Sequence, residues 1–487
     1  MKSLALLTVA AWLYASRLVR WLALYQQKEY RLDRFVAFVQ TDEGRQEMRM
    51  LVSPGARRHP KSWKRPKITA RVLVIAAGTG LLLVVGLAVL FVVVSNWQTQ
   101  VAAVGVYLLV SYLLLPGLIG LVTVLSAIPA RIKVSHELYR AQQKLLKHQP
   151  LIIGVGGSYG KTSTKYLLAA LLEQQFQVFM TPKSYNTAYS IARSITEGYA
   201  GQEVVLLEYG AYKIGEIKRL TQWFSPAHAV ITGFTEQHLE LFGSVAASLK
   251  AEAELAAAIP AAGTVWYNGD DPRVAEILAQ VPDLEAQTVA YKATDLGEWQ
   301  LDAHGSLVLQ FSQPVQTALV GSHYLTNIAG ALKVAAFLGL STKECAQGLQ
   351  AFKPDERFVR SYPGNKCWVL DDAGTSNPEG FKTIISLAAR FTEQPKWLIV
   401  SGIVDLGEVS ESVHRTLAQQ ARPVFDKVLY VGSEGRAEFL EVFGGDCVSE
   451  QEAVISALKQ LPQASLLTIE GRVPGWLTNL LAKKGVQ

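Results

Sequence analysis

Residues 151–165 read LIIGVGGSYGKTSTK. Three apolar residues lead into Gly154, Gly157 and Gly160, then Lys161, Thr162 and Ser163, and an apolar run follows. The pattern predicts a buried strand, a glycine-rich turn and a helix. Such a turn suits a polyphosphate. Its glycines, with Ser158 between them, let backbone N–H groups wrap the phosphates, and the helix N-terminus adds the positive end of its dipole. Lys161 supplies a point charge, and a hydroxyl can reach Mg²⁺. A general P-loop has a glycine five residues before its last one, where this chain has Val155; here glycines fall three and six residues back.

The charge is unevenly placed along the 487 residues, whose net is +6. Residues 27–67 hold eleven Lys and Arg against five Asp and Glu, so the long C-terminal part from residue 133 onward is net acidic. The basic pI belongs to the N-terminal part, which argues against a nucleic-acid partner for the rest. Cys345, Cys367 and Cys447 are far apart in sequence and have no metal-ligand spacing, so reduced structural thiols are expected.

From Val72 to Ala130 there is no charged residue, and the polar cluster from Ser95 to Gln100 splits this stretch in two. Each half is long enough to span a bilayer, so transmembrane helices are expected at about 72–94 and 101–130, with Pro116 and Gly117 expected to kink the latter. A further apolar segment, about 4–25, is interrupted by Arg17 and Arg20. It reads as a third span, an interfacial helix or a signal peptide. By the positive-inside rule the basic loop between Tyr25 and Arg71 stays in the cytoplasm. The expected location is therefore the cytoplasmic membrane, touching lipid, with residues 1–148 as the membrane region and the catalytic domains facing the cytoplasm.

Beyond the glycine-rich turn, short apolar runs alternate with helical ones: VVLLEYG (204–210), HAVITGF (228–234) and TVWYNGD (264–270). That is the rhythm of a mostly parallel α/β sheet. Residues 299–320 read as a small β appendage, and residues 325–340 as a helix. CWVLDDA (367–373), KWLIVSG (396–402), KVLYVGS (427–433) and SLLTIEG (465–471) then open a second α/β alternation. The expected division is a central domain over 149–355 and a C-terminal Rossmann-like domain over 356–487. Glu208 ends a strand, where a nucleotide-bound metal would sit, although a strand-end acid is also ordinary. His238 follows another strand and could ligate metal or serve the fold.

The order of motifs is specific. After the loop come TPKSYNT (181–187), LEYGAYKIGEI (207–217), the EQHLELFGS block (236–244), GSHYLTNIAGA (321–331), Arg357, DDAGTSNPEG (371–380), SGIVDLGE (401–408) and His414. The series over 150–487 resembles the Mur ligases, the peptidoglycan amino-acid-adding enzymes. The resemblance implies a P-loop ATPase-type central domain and ATP-dependent amide bond formation through an acyl phosphate, with ATP and Mg²⁺. It implies a muramyl-peptide acid and D-alanyl-D-alanine or a similar amine, with other cell-wall enzymes as further partners. Under it, Gly157, Ser158, Gly160, Lys161, Thr162 and Ser163 would cradle the phosphates. Thr162, Glu208 and His238 would hold metal, and Asn186 would help place the acyl phosphate. Asn327, Arg357 and Asp372 would contact the nucleotide; Asn377, Asp405 and His414 would line the incoming-amine side. A lipid-linked acid, or a non-catalytic nucleotide-binding scaffold, are the alternatives.

Two features depart from the family. Where it usually carries a carbamylated lysine, GSVAASLKAEAEL (243–255) has Glu252, with Lys250 two residues earlier. Either Glu252 supplies a carboxylate outright, or Lys250 is modified in a shifted register, or both lie on a solvated helix face. The membrane segment also takes the place of a soluble uridine-nucleotide-binding domain.

Overall fold

The structure is a computed structural model that describes residues 2–27, 30, 32–40, 44–45, 66–211, 213–235, 244–374, 376–404, 406 and 409–483. The chain separates into two compact units, Met1–Glu137 and Leu138–Gln487.

The N-terminal unit is helical, with helices Lys2–Gln27, Leu32–Gln40 and Ala70–Val93 and the first part of Trp97–His148. Thr69 caps the third helix by accepting from Val72 N–H at 3.3 Å. Ser95 and Asn96 separate it from the fourth, and the Asn96 side chain accepts from Gln98 N–H at 3.0 Å. Trp21, Leu24, Tyr25, Ile75, Leu115 and Ile119 pack into a core, while Val84, Val92, Val101 and Val106 point outward. Outward valines on helices this apolar suit lipid better than water. Ala70–Val93 and Trp97–His148 are long and apolar enough to cross a membrane by length and composition. The segment about 4–25 lies within a 26-residue helix. Its Arg17 is turned inward, with the guanidinium 3.9 Å from the centre of the Tyr112 ring.

One boundary differs from expectation. The span expected to end at 130 continues unbroken as helix to His148. Residues 131–148 are rich in Arg, Lys, Glu, Gln, Leu and Ala, which are good helix formers, and no glycine or proline ends the run before Pro150.

In the C-terminal unit the first sheet contains β1 (Leu151–Gly156), β2 (Val178–Met180), β3 (Val204–Glu208), β4 (His228–Ile231), β5 (Thr264–Asn268) and β6 (Gln287–Tyr291). The order is β2-β3-β1-β4-β5-β6, all parallel. β1 and β3 are buried nearly throughout, as a sheet covered on both faces requires. The β appendage is a three-stranded antiparallel sheet of β7 (Trp299–Leu301), β8 (Ser306–Gln310) and β9 (Pro314–Val320).

The last sheet holds β10 (Arg360–Pro363), β11 (Cys367–Asp372), β12 (Lys396–Val400), β13 (Lys427–Tyr430), β14 (Cys447–Val448) and β15 (Ser465–Glu470), ordered β10-β11-β15-β12-β13-β14. Only the β10–β11 pairing is antiparallel. Parallel pairing brings the C-terminal ends of all these strands but β10 to one edge, and that edge is where open α/β sheets bind ligands. The three cysteines are free and buried.

Candidate active site

The glycine-rich turn joins the end of β1 to the helix Lys161–Leu172. Gly157 has φ 117° and Gly160 φ 80°, a region L side chains rarely enter. Space forbids a side chain as well: a Cβ on Gly157 would lie 2.5 Å from the Thr232 hydroxyl, and one on Gly160 2.7 Å from the Asn327 amide nitrogen. Ser158 N–H donates to Gly233 O at 2.6 Å, tying the turn to the residues after β4. Lys161 Nζ folds back onto the turn, donating to the carbonyls of Gly157 and, at 3.2 Å, Ser158. A polyphosphate would compete for the same ammonium.

Glu208 stands at the end of β3, the neighbour of β1. Its Oε2 accepts from the Thr162 hydroxyl at 3.0 Å and from Lys165 Nζ at 3.1 Å. Lys165 is fully buried; it also donates to Lys183 O at 2.6 Å and to the Thr181 hydroxyl at 3.3 Å. Burial pulls the Lys165 ammonium below its ordinary pKa, and the Glu208 charge pulls it partly back. A lysine one helical turn after Lys161, in line with buried Leu168 and Leu172, was the signal sequence reading passed over. The carboxylate is thus fixed by a buried ion pair.

Glu252, on the helix Val245–Ala256, reaches the same turn: its Oε2 accepts from Gly157 N–H at 2.9 Å. Burial raises its pKa, against the opposing pull of Lys161 and of the Gly157 N–H. Lys250 is exposed on that helix. The two residues therefore occupy different faces, and Glu252 is the one beside the turn.

Asn327, on the helix Leu325–Phe337, donates to Gly160 O at 3.3 Å and the Thr164 hydroxyl at 2.9 Å. Asn186 packs against Gly210, just past β3, where a Cβ would come within 2.7 Å of its amide nitrogen. Arg357 pairs with Asp355 and donates to the Tyr166 hydroxyl, its guanidinium 4.6 Å from the ring centre. Tyr166 in turn accepts from Lys183 N–H at 3.1 Å. This chain of contacts joins Arg357 to the Lys165–Glu208 pair. Asp355 and Tyr166 had no motif to mark them.

Asp372 and Glu470 end the adjacent parallel strands β11 and β15 in register. Both are buried. Burial, helped by Asp371, pushes the Asp372 carboxyl up to about 7; Glu470 is raised well above its ordinary value by burial and by Asp372.

One expectation on the amine side needs correction. His414 has no exposed surface, accepts from Ile403 N–H at 2.9 Å through Nε2, and meets Ser410 O at 2.8 Å through Nδ1. With both ring nitrogens occupied it supports the loop after β12 and presents nothing to a substrate. Asn377 caps the helix Pro378–Arg390, its Oδ1 accepting from Gly380 N–H at 2.9 Å. Asp405 and His238 lie outside the described residues. No bond of the Ser163 hydroxyl with another described residue is seen.

Comparison with known proteins addresses what such a site belongs to. A family model for the Mur ligase middle domain matches residues 155–335, the span that holds the glycine-rich turn, Glu208, Glu252 and Asn327. The central part of this chain is thus similar to a Mur ligase middle domain. The chain is 28% identical over 305 residues to the UDP-N-acetylmuramoyl-tripeptide–D-alanyl-D-alanine ligase of Mycobacterium tuberculosis, covering 59% of each. With the Bacillus subtilis enzyme of the same name it shares 26% over 324 residues, 63% of this chain and 70% of that one. The chain thus spans under two thirds of the first relative's length. Among solved structures, MurF ligase from Thermotoga maritima in complex with ADP superposes with a TM-score of 0.61 at 25% identity, covering 72% of this chain and 83% of that one. MurF from Acinetobacter baumannii gives 0.61 at 21% identity, a likeness of fold, over 72% and 79%. Over these lengths the chain is similar to the MurF ligases.

Proposed function

We propose that this protein is a membrane-bound, ATP-dependent ligase that joins D-alanyl-D-alanine to a UDP-N-acetylmuramoyl tripeptide, facing the cytoplasm. The observation that carries the reading is the convergence on one strand-edge site of the Gly157–Gly160 turn, Lys161, and the carboxylates of Glu208 and Glu252.

In this reading the turn's N–H groups and the Lys161 ammonium bind the ATP phosphates, while Asn327 holds the turn in shape through Gly160. The acid's carboxylate oxygen attacks the γ-phosphorus; the bond to ADP breaks and an acyl phosphate forms. The amine nitrogen then attacks the acyl carbon, phosphate leaves, and the amine loses a proton to give the amide. Positioning and charge neutralisation carry most of such a phosphoryl step. The Thr162 hydroxyl and the Glu208 and Glu252 carboxylates are hard oxygen donors of the kind Mg²⁺ takes, and Thr162 and Glu208 would hold the ion. Mg²⁺ would offset phosphate charge there. Lys165 positions Glu208 for that role.

A second reading shares the chemistry and changes the acid. The apolar helices Ala70–Val93 and Trp97–His148 favour an acid presented at a bilayer, such as a lipid-linked muramyl peptide. ADP release by the purified full chain in detergent, over soluble and lipid-linked muramyl peptides each with D-alanyl-D-alanine, separates the two. Lys161→Ala should reduce ADP release at least a hundredfold while the protein still folds, because the ammonium touches only the turn. Retained turnover would remove the phosphate role of the turn.

A further inference from the structure

Residues 181–187 connect β2 to the helix Ala188–Gly198 and pass beside the glycine-rich turn. Ser184 Oγ accepts from the Thr162 hydroxyl at 3.0 Å, and Asn186 packs against Gly210 just past β3. Lys183 comes one residue before Ser184. Its carbonyl accepts from the buried Lys165 Nζ at 2.6 Å, and its N–H donates to the Tyr166 hydroxyl at 3.1 Å. Both of its backbone groups are thus held by the helix that opens with Lys161. They are held at φ 53°, in the left-handed region. Glycine enters that region freely and a lysine does not. Glycine would be the unstrained residue here, so the lysine side chain is what the position gains.

That side chain is exposed and forms no ion pair with any described residue. The other cations named at this edge are committed: Lys165 to Glu208, Arg357 to Asp355, and Lys161, in the ligase reading, to the phosphates. An acid that attacks a phosphoryl group carries its own negative charge toward the phosphates and toward Glu208 and Glu252. It needs a cation of its own. The sheet order says from which side it comes. β2 lies to one side of β1, beyond β3. Asn327 stands on the other side, since its neighbour Thr326 donates to Asp270, just past β5, at 2.9 Å. Residues 181–187 therefore flank the turn on the side that Asn327, the nucleotide contact, leaves open.

We propose that Lys183 recognises the acid substrate, its ammonium pairing with the substrate carboxylate and drawing it in beside the phosphates from the β2 side. The inference rests on the ligase reading and goes beyond it by naming the residue that pairs with the acid. An ammonium on a flexible stem suits a carboxylate that must afterwards move onto phosphorus, because it holds charge without fixing a plane. The backbone of Lys183 serves Lys165 and Tyr166, and its side chain serves the acid, so the two roles can be separated by substitution.

Lys183→Gly removes the charge and relaxes the backbone; Lys183→Gln removes the charge and keeps the strain. With the full chain in detergent, ATP, D-alanyl-D-alanine and a muramyl-peptide acid, ADP release gives the KM for each substrate. Both variants should raise the KM for the acid about tenfold or more, the loss of a charge-assisted bond, with the KM for ATP within about twofold of the unmodified value. Lys183→Arg should recover part of the loss. Added salt should raise the acid KM of the unmodified protein more steeply than that of Lys183→Gly, a difference that a purely structural lysine would not produce. An unchanged acid KM in Lys183→Gly overturns the assignment. So does a raised ATP KM with the acid KM unchanged, which would give the lysine to the nucleotide. A raised acid KM in Lys183→Gln alone, with Lys183→Gly normal, overturns it too, because charge would then not be what matters. If the unmodified protein releases no ADP with any acid, soluble or lipid-linked, the ligase reading falls and takes this assignment with it.

Discussion

Glu252 shows what one residue can change. It stands where relatives of the resembling family usually carry a modified lysine, and its carboxylate meets the Gly157 N–H at 2.9 Å inside the protein. A carboxylate made in translation needs no carbon dioxide, so activity should be independent of bicarbonate. Glu252→Gln keeps the shape and removes the charge, and should slow turnover about tenfold to a thousandfold, the range for losing one electrostatic stabiliser. Glu252→Lys should be weak without bicarbonate and partly restored by it. Rates measured with and without bicarbonate check both; full activity in the Gln variant would leave Glu252 a buried acid with no part in turnover. The sequence showed this residue as one of two candidates, because a helix written Leu249-Lys250-Ala251-Glu252 does not say which polar side chain turns inward. Lys165 was hidden for the opposite reason. A lysine near a helix start reads as solvated, and the strand-end carboxylate brought by β3, with the Lys183 carbonyl and the Thr181 hydroxyl, makes its burial tolerable.

At the scale of elements, strand positions were the most legible feature. Each quoted apolar run from residue 204 onward contains its strand, because a strand buried on both faces leaves a continuous apolar signature. The helix Trp97–His148 was cut short in the reading, since the loss of hydropathy after Ala130 marks the end of an apolar span and not the end of a helix. His414 was misread because a motif gives order along the chain and not depth in the fold. The pairing of β11 with β15 creates what neither strand encodes, two buried carboxylates side by side. The Asp372 carboxyl, pushed up to about 7 from its ordinary 3.8, keeps a proton in the folded chain over pH values where the unfolded chain has released it. Stability of the unliganded protein should therefore fall as pH rises from about 4 to about 7 and level off above. Asp372→Asn should flatten that fall and raise the melting temperature at pH 8 relative to the unmodified protein. Thermal melts at pH 5 and pH 8 read the difference; an unchanged slope would show that the pair does not hold its proton.

For the whole molecule the question is which side of a bilayer the C-terminal unit occupies. In the proposed topology the arginines and lysines crowding residues 27–67 resist translocation, the two apolar helices with their short polar break at Ser95 and Asn96 both cross, and the pair of crossings returns the chain to the side it left. The proposed ATP chemistry asks for the same orientation, because ATP is found on the inside. Cysteine labelling suits this protein, because its three native thiols are free and buried and give little background. A cysteine placed at Gln98, in the break between the helices, should react with a membrane-impermeant maleimide added to intact cells. One placed at Lys147, which is exposed at the end of the long helix, should react only after the membrane is opened. Labelling of Lys147→Cys but not Gln98→Cys in intact cells would turn the protein over, put the turn out of reach of ATP and end the ligase reading along with the topology. If neither position reacts until the cells are opened, the two apolar helices do not cross, and the protein lies on the inner face with its substrate brought to it.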